Sequence, residues 1–428
     1  MGAVVNRFTA AEWQASPLSR ARSDLGATPE QAASVREICA RVAREGDGAL
    51  FDYGRRFDGW APGPGERLEV SRGEVEEAPG RLRPEERRAL EVAAERIRAF
   101  HSLQVPEPVV ASGALQLRTR AVDRAGLYTP GGRAAYPSTV LMTAIPARVA
   151  GVGEVVLASP PAEDGSLRPA ILAAAHLAGV DAVYRMGGAQ AVAALAYGTE
   201  SVPRVDVVAG PGNLYVTLAK REVFGAVGVD GIAGPTEILI VADATAPPHL
   251  VAADLASQLE HDPEAWAVLV TDSAALADAV EESFADLVRD LDRAEIVRAA
   301  HCCVVRTESV EESVVVADDF APEHLELIGE TAERQAGSIR NAGAVFVGPY
   351  TPVSLGDYVI GTNHTLPTAR AARFASPLGV HTFLKSTSVA EVGQAEFASL
   401  AEPARALAYL EGFQAHARAI EARTEEGR

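Results

Sequence analysis

The stretch GLYTPGGRAAYPSTVLMTAIPARVAGVGEVVLAS, residues 126–159, decides the fold. A short apolar run (GLYT, 126–129) leads into a turn rich in glycine and proline. A helix-like segment (138–150) follows, and a glycine precedes a second apolar run (EVVLAS, 154–159). Strand, turn, helix and strand within so few residues make a βαβ unit, whose two strands pair in parallel. Downstream, AVYRM (182–186) and VDVVAG (205–210) are further strands, with helices over 167–179 and 189–198 between them. After residue 235 the alternation recurs in TEILIVAD (236–243), AWAVLVTD (265–272), CCVVRT (302–307), HLELIG (324–329) and AVFVG (344–348).

Upstream, Thr28-Pro29-Glu30-Gln31 opens a helix with a Thr cap, Pro at the first helical position and Gln three residues after the cap. Residues 84–104 read as another amphipathic helix, and the last ~45 residues as mostly helical. The expected class is α/β: two Rossmann-like parallel-sheet domains with N-terminal helices and a helical C-terminal extension. The expected boundaries are an N-terminal segment (1–25), a discontinuous first domain (26–127 and 236–380), a second, cofactor-binding domain (128–235) and the extension (381–428).

The chain has 428 residues, 48% hydrophobic and 23% charged, an ordinary globular profile. A formal net charge of -19 argues against nucleic acid or an anionic membrane as partner. An anionic ligand must then be held locally, by backbone N–H groups. The N-terminus carries no signal-like apolar core, and no segment reaches the ~18 apolar residues of a spanning helix, so a cytoplasmic protein is expected. Three cysteines, Cys39, Cys302 and Cys303, are too few and wrongly spaced for a disulfide framework or a cysteine zinc site. Cys302 and Cys303 open an apolar strand and read as buried rather than nucleophilic.

Several segments carry candidate chemistry. YTPGGRAAYPS (128–138) and AGPGNLYV (209–216) each join a strand to a helix, where backbone N–H groups can approach an anion. In DLASQLEHDPEA (254–265), Asp254, Gln258 and His261 share one helical face. GDYVIGTNHTLPT (356–368) adds Asp357 and His364; AYLEGFQAHARAIEAR (408–423) adds Glu411 and His416. APEHLEL (321–327) sets Glu323 and His324 side by side before a core strand, where a charged acid needs a partner or a purpose. A mixed set of N and O donors suits zinc or a similar divalent ion. His101, His176, His249, His301 and His381 have no comparable setting and read as structural.

Together YTPGGRAAYPSTVLM, GGAQAVAALAYGT, VAGPGNLYV, GIAGPTEILIVAD, DLASQLEHDP, APEHLEL, LGDYVIGTNHTLPT and the late EGFQAHA closely resemble the histidinol dehydrogenase family, from about residue 25 to 423. The resemblance implies an NAD-dependent oxidation of L-histidinol to L-histidine through the aldehyde, in a homodimer with one zinc per subunit. It implies zinc ligands Gln258, His261, Asp357 and His416, and NAD contacts at Tyr128, Gln190 and Asn213. Implied substrate contacts are Thr236, His364 and Glu411, with Glu323, His324 and the zinc ligands. The family commonly has Ser where this chain has Thr236. ASPLGVHTF (375–383) also departs from the usual run, which bears on local packing.

The resemblance further implies that His324 takes the hydroxyl proton and Glu323 activates water for the aldehyde. Adjacent strand residues point to opposite faces, so 322–324 is expected to be a loop or helix end. The late helix of one subunit is expected to serve the neighbour's site. Two rivals follow from the same residues: a dehydrogenase of another small alcohol, such as a sulfonated diol, and a zinc hydrolase without NAD. A third, an inactive binding protein, leaves the ligand set and the two bases without a use.

Overall fold

A computed structural model describes residues 5–16, 18, 26–131 and 135–425. Gly132, Arg133 and Ala134, in the first glycine-rich turn, lie outside the described residues. The chain divides into two units, Met1–Val105 with Ala121–Phe383 and Pro106–Arg120 with Leu384–Arg428.

The strands in chain order are β1 (Val5–Thr9), β2 (Val109–Ser112), β3 (Leu115–Ala121), β4 (Arg124–Tyr128) and β5 (Glu154–Ser159). Then come β6 (Ala182–Arg185), β7 (Val207–Ala209), β8 (Gly228–Val229), β9 (Glu237–Ala242) and β10 (Trp266–Thr271). The last four are β11 (His301–Arg306), β12 (His324–Ile328), β13 (Ala344–Val347) and β14 (Leu384–Ala390).

The first unit holds two parallel sheets. One runs β6-β5-β4-β7-β8, the other β1-β11-β10-β9-β12-β13. Numbered within each half, both have the doubly wound order 3-2-1-4-5, so the likeness of the two halves extends to their topology. The larger sheet gains β1 from the N-terminal segment, which pairs in parallel with β11; no sequence signal marked it as a strand.

Each sheet is buried on both faces, as parallel sheets require. In β9, Ile238, Ile240 and Ala242 enter one core, while Leu239 and Val241 enter another. In the five-stranded sheet, Ala125 and Leu127 face one cluster and Tyr128 the other. Chain order alone groups 26–127 with 236–380. The packing runs otherwise: Val35, Ile38 and Val42 of the helix Pro29–Glu45 bury their stripe against Ala191 and Leu195, beneath the five-stranded sheet. The helix Pro84–Ser102 likewise contributes Ala93, Ala94 and Ile97 to that sheet's other core.

The second unit is a three-stranded sheet, β14-β3-β2, with β2 and β3 antiparallel, followed by the helices Gln394–Leu410 and Gln414–Glu425. The region from residue 381 is therefore not purely helical: β14 precedes its two helices. Short polar strands without a continuous apolar run leave no clear signal in sequence.

Candidate active site

In a doubly wound sheet, ligands bind beyond the carboxyl ends of the strands where strand order reverses. In the five-stranded sheet that point lies between β4 and β7. Tyr128 ends β4, and Gly210 follows β7. Gly210 has φ 118, and a Cβ there would stand 2.1 Å from the Tyr128 carbonyl oxygen, so only glycine lets these two strand ends meet. A buried ion pair braces the turn. Lys220 Nζ pairs with Asp230 and donates to the Gly210 carbonyl at 3.1 Å, and Asp230 accepts the Gly210 N–H at 2.8 Å.

Asn213 caps the helix Leu214–Val223, its Oδ1 accepting the N–H groups of Tyr215 and Val216 at 3.1 and 3.2 Å. The Tyr128 hydroxyl accepts the Gly188 N–H at 3.2 Å, which joins the β4 end to the GGAQ turn. Gln190 in that turn is buried and donates to Asp58 at 3.2 Å. Burial lifts the Asp58 carboxyl above its ordinary range, against the bonds from Gly187 and Gln190. Asp58, Lys220 and Asp230 carry no motif; charged residues in a loop or a late helical turn look solvent-exposed until the fold buries them.

The corresponding point of the six-stranded sheet, between β9 and β12, is already filled by the protein. Asp243 accepts the N–H groups of Thr331 and Ala332 at 2.6 and 3.0 Å, and that of Thr245 at 2.8 Å. A carboxylate thus occupies the helix start where a ligand anion would bind. That sheet contributes through its opposite, amino-terminal edge.

At that edge the helix Val310–Phe320 ends on Ala321 in the left-handed conformation (φ 49), and β12 begins at His324. Glu323 therefore precedes the strand, and both side chains are buried, with Glu323 Oε2 3.6 Å from His324 Nδ1. Glu323 Oε2 accepts the Thr236 hydroxyl at 2.5 Å and the Glu237 N–H at 3.0 Å. Thr236 in turn accepts from Gln258 Nε2 at 2.5 Å. With its N–H spent on Thr236, Gln258 retains its carbonyl Oε1 as a donor atom for a cation. Burial pushes the Glu323 carboxyl up to about 8, against the Thr236 and Glu237 bonds that lower it.

His324 Nδ1 lies 3.2 Å from the Glu237 carbonyl oxygen. A carbonyl only accepts, so Nδ1 carries the proton and Nε2 is the basic nitrogen. That Nε2 is buried, finds no hydrogen-bond partner among the described residues, and stands 3.9 Å from Asp357 Oδ1. Burial holds the ring below its ordinary pKa, so it is neutral at neutral pH. His364 Nδ1 is similarly committed to the Asp357 carbonyl at 2.9 Å, and its Nε2 accepts the Thr139 hydroxyl at 3.2 Å. Burial pushes that ring down to about 4. Burial raises the Asp357 carboxyl above its ordinary range.

Thr236, Gln258, His261, Glu323, His324, Asp357 and His364 thus converge at one edge. Among the described residues, no three His, Cys, Asp or Glu form a metal-holding group by themselves. Glu411 and His416 belong to the second unit, where Glu411 ends the helix Gln394–Leu410 and His416 stacks on Phe413 with ring centroids 5.0 Å apart. Cys302 and Cys303 are buried, and burial raises both thiols, so neither is a nucleophile. A cavity of about 560 Å³ joins the two edges within the first unit. Pro211, Gly212 and Lys220 line one end, and Thr236, Glu323 and His364 the other.

A family model described as histidinol dehydrogenase matches residues 21–424. The chain is 49% identical over 393 residues to the histidinol dehydrogenase of Parasynechococcus marenigrum, covering 90% of this chain and 89% of that protein. It is also 49% identical over 400 residues to the histidinol dehydrogenase of Synechococcus sp., covering 92% of each. The crystal structure of histidinol dehydrogenase from Elizabethkingia anophelis superposes with a TM-score of 0.91 at 32% identity, covering 99% of this chain and 98% of that one.

Proposed function

The chain belongs to the histidinol dehydrogenase family, and from that premise we propose that it oxidises L-histidinol to L-histidine through the aldehyde, with NAD as acceptor, in histidine biosynthesis. The observation that carries the reading is the cavity, which links the switch point of one sheet to the Glu323–His324 edge of the other. A zinc hydrolase leaves the switch-point turns without a ligand. No helix among the described residues is long and apolar enough to cross a membrane.

Tyr128, Gln190 and Asn213 would hold NAD at the β4–β7 switch point, where it would supply the hydride acceptor. Residues 128–235 form the cofactor domain of this reading. The cation site fits zinc: Gln258 offers Oε1, His261 an imidazole, and Asp357 a carboxyl that burial destabilises as an anion and that a cation would relieve. His416 is the fourth ligand, supplied with the substrate contact Glu411 by the neighbouring subunit of a homodimer. Zinc would fix the polar atoms of histidinol and so orient the carbinol carbon.

The chain's own residues then divide the proton work. His324, neutral with a free Nε2, takes the hydroxyl proton in the first oxidation. Glu323 takes a proton from water so that the water adds to the aldehyde carbonyl. His324 takes the hydrate's proton in the second oxidation. Thr236 and the Glu237 N–H hold the Glu323 carboxyl in place for this. His364, fixed by Asp357 and Thr139, lines the substrate end of the cavity.

The test is the NADH formed per molecule of L-histidinol by purified protein with zinc and excess NAD. Two per histidinol, abolished by a chelator, is the expected result. Turnover of a sulfonated diol or another small alcohol, with none of histidinol, would transfer the mechanism to a different substrate.

A further inference from the structure

Asp254 shares the helix face of Gln258 and His261, yet the proposed chemistry does not use it. It faces Glu326, two residues after His324 on β12, and the two carboxyls hydrogen-bond to each other. A bond between carboxyls requires a shared proton. Burial raises both groups; the charge and hydrogen bond of Asp254 raise Glu326 further, while the bond from Glu326 draws Asp254 back down, so Glu326 is the member that carries the shared proton and donates it to Asp254. The shared proton also accounts for Glu326 Oε2, which is buried without any other partner.

Glu326 Oε1 meanwhile accepts the N–H of Val353 at 2.8 Å. Val353 is the first residue of the helix Val353–Tyr358, whose N-cap, Pro352, supplies no side-chain cap. Glu326 thus caps, from β12, the helix that carries Asp357. The same helix is pressed against β13: a Cβ at Gly356 would stand 2.5 Å from the Phe346 ring. One carboxyl pair therefore touches all three segments of the site: the helix Pro248–Leu259 with Gln258, β12 with His324, and the helix with Asp357.

We propose that Asp254 and Glu326 act as a clamp that positions Gln258 and Asp357 relative to His324, and so sets how tightly the site holds zinc and orients histidinol. This rests on the ligand assignment proposed above. Neither residue touches substrate or metal; both are positioning residues.

The test measures zinc affinity of the folded, full-length protein by competition with a chelating dye, beside kcat and KM for histidinol and a thermal-unfolding check. Glu326→Leu removes the acceptor of the Val353 N–H and is expected to weaken zinc binding about tenfold or more, the scale seen when residues that orient metal ligands are lost. Glu326→Gln keeps that acceptor and can donate to Asp254, so it should hold zinc within a few-fold of the wild type. Asp254→Ala, on a half-exposed helix position, frees only the Gln258 side and should also weaken zinc.

Wild-type zinc affinity in folded Glu326→Leu or in Asp254→Ala overturns the clamp, as does loss of zinc in Glu326→Gln equal to that in Glu326→Leu. Asp357→Asn separates the two readings. If that variant keeps wild-type affinity, the ligand assignment fails and the clamp with it. If it loses zinc while Glu326→Leu does not, only the clamp fails.

Discussion

Thr236→Val removes one hydroxyl and keeps the shape of the side chain. That hydroxyl donates to Glu323 at 2.5 Å and accepts from Gln258 at 2.5 Å. Glu323 keeps the Glu237 N–H at 3.0 Å, so the carboxyl is weakened rather than orphaned. Losing a hydrogen bond to an ionised acceptor costs about 1.5–3 kcal/mol. At about 1.4 kcal/mol per factor of ten, kcat/KM for aldehyde oxidation should fall roughly 10- to 150-fold. Gln258 also loses the acceptor that fixes its amide orientation, so zinc should be held less tightly. Thr236→Ser keeps the hydroxyl and should stay within a few-fold of wild type. The assay is steady-state kinetics on L-histidinol and on the aldehyde separately, with zinc content measured for each variant. Thr236→Val with wild-type aldehyde oxidation and zinc content would show that the Gln258–Thr236–Glu323 chain does not organise the site.

Four further outcomes are expected. Glu323→Gln should spare the alcohol step and stop near one NADH per histidinol. Because the base form of Glu323 is the competent one and its pKa is pushed up to about 8, aldehyde oxidation should rise with pH through that region in the wild type; a flat profile counts against the assignment. Gly210→Ala forces a Cβ onto the Tyr128 carbonyl at a strained φ and should cost about 1–3 kcal/mol of stability together with a raised KM for NAD; denaturant unfolding and NAD titration check it. Lys220→Met leaves the buried Asp230 unpaired, a loss of about 3–5 kcal/mol in denaturant unfolding, with NAD affinity reduced because Gly210 loses its brace.

The sequence by itself determined the alternation of strand and helix, because each buried parallel strand needs an apolar run and each crossover needs a helical stripe. It also marked the residues that now meet at the six-stranded edge, since Gln258, His261, Glu323, His324, Asp357 and His364 are polar groups set beside core segments or glycine-rich turns. It did not reveal β1 or the antiparallel strands β2 and β3, which are short and made mostly of residues exposed or half-exposed in the fold. Nor did it show that residues 29–102 pack on the five-stranded sheet, because a helical stripe states that it will be buried but not against what. Tertiary structure alone decided that one sheet offers its carboxyl edge and the other its amino edge to the same cavity. The same holds for Asp243, which fills the second switch point, and for Glu326, which reaches both Asp254 and the Val353 N–H. These contacts join residues far apart in the chain, and spacing along a sequence carries information only about neighbours on one element.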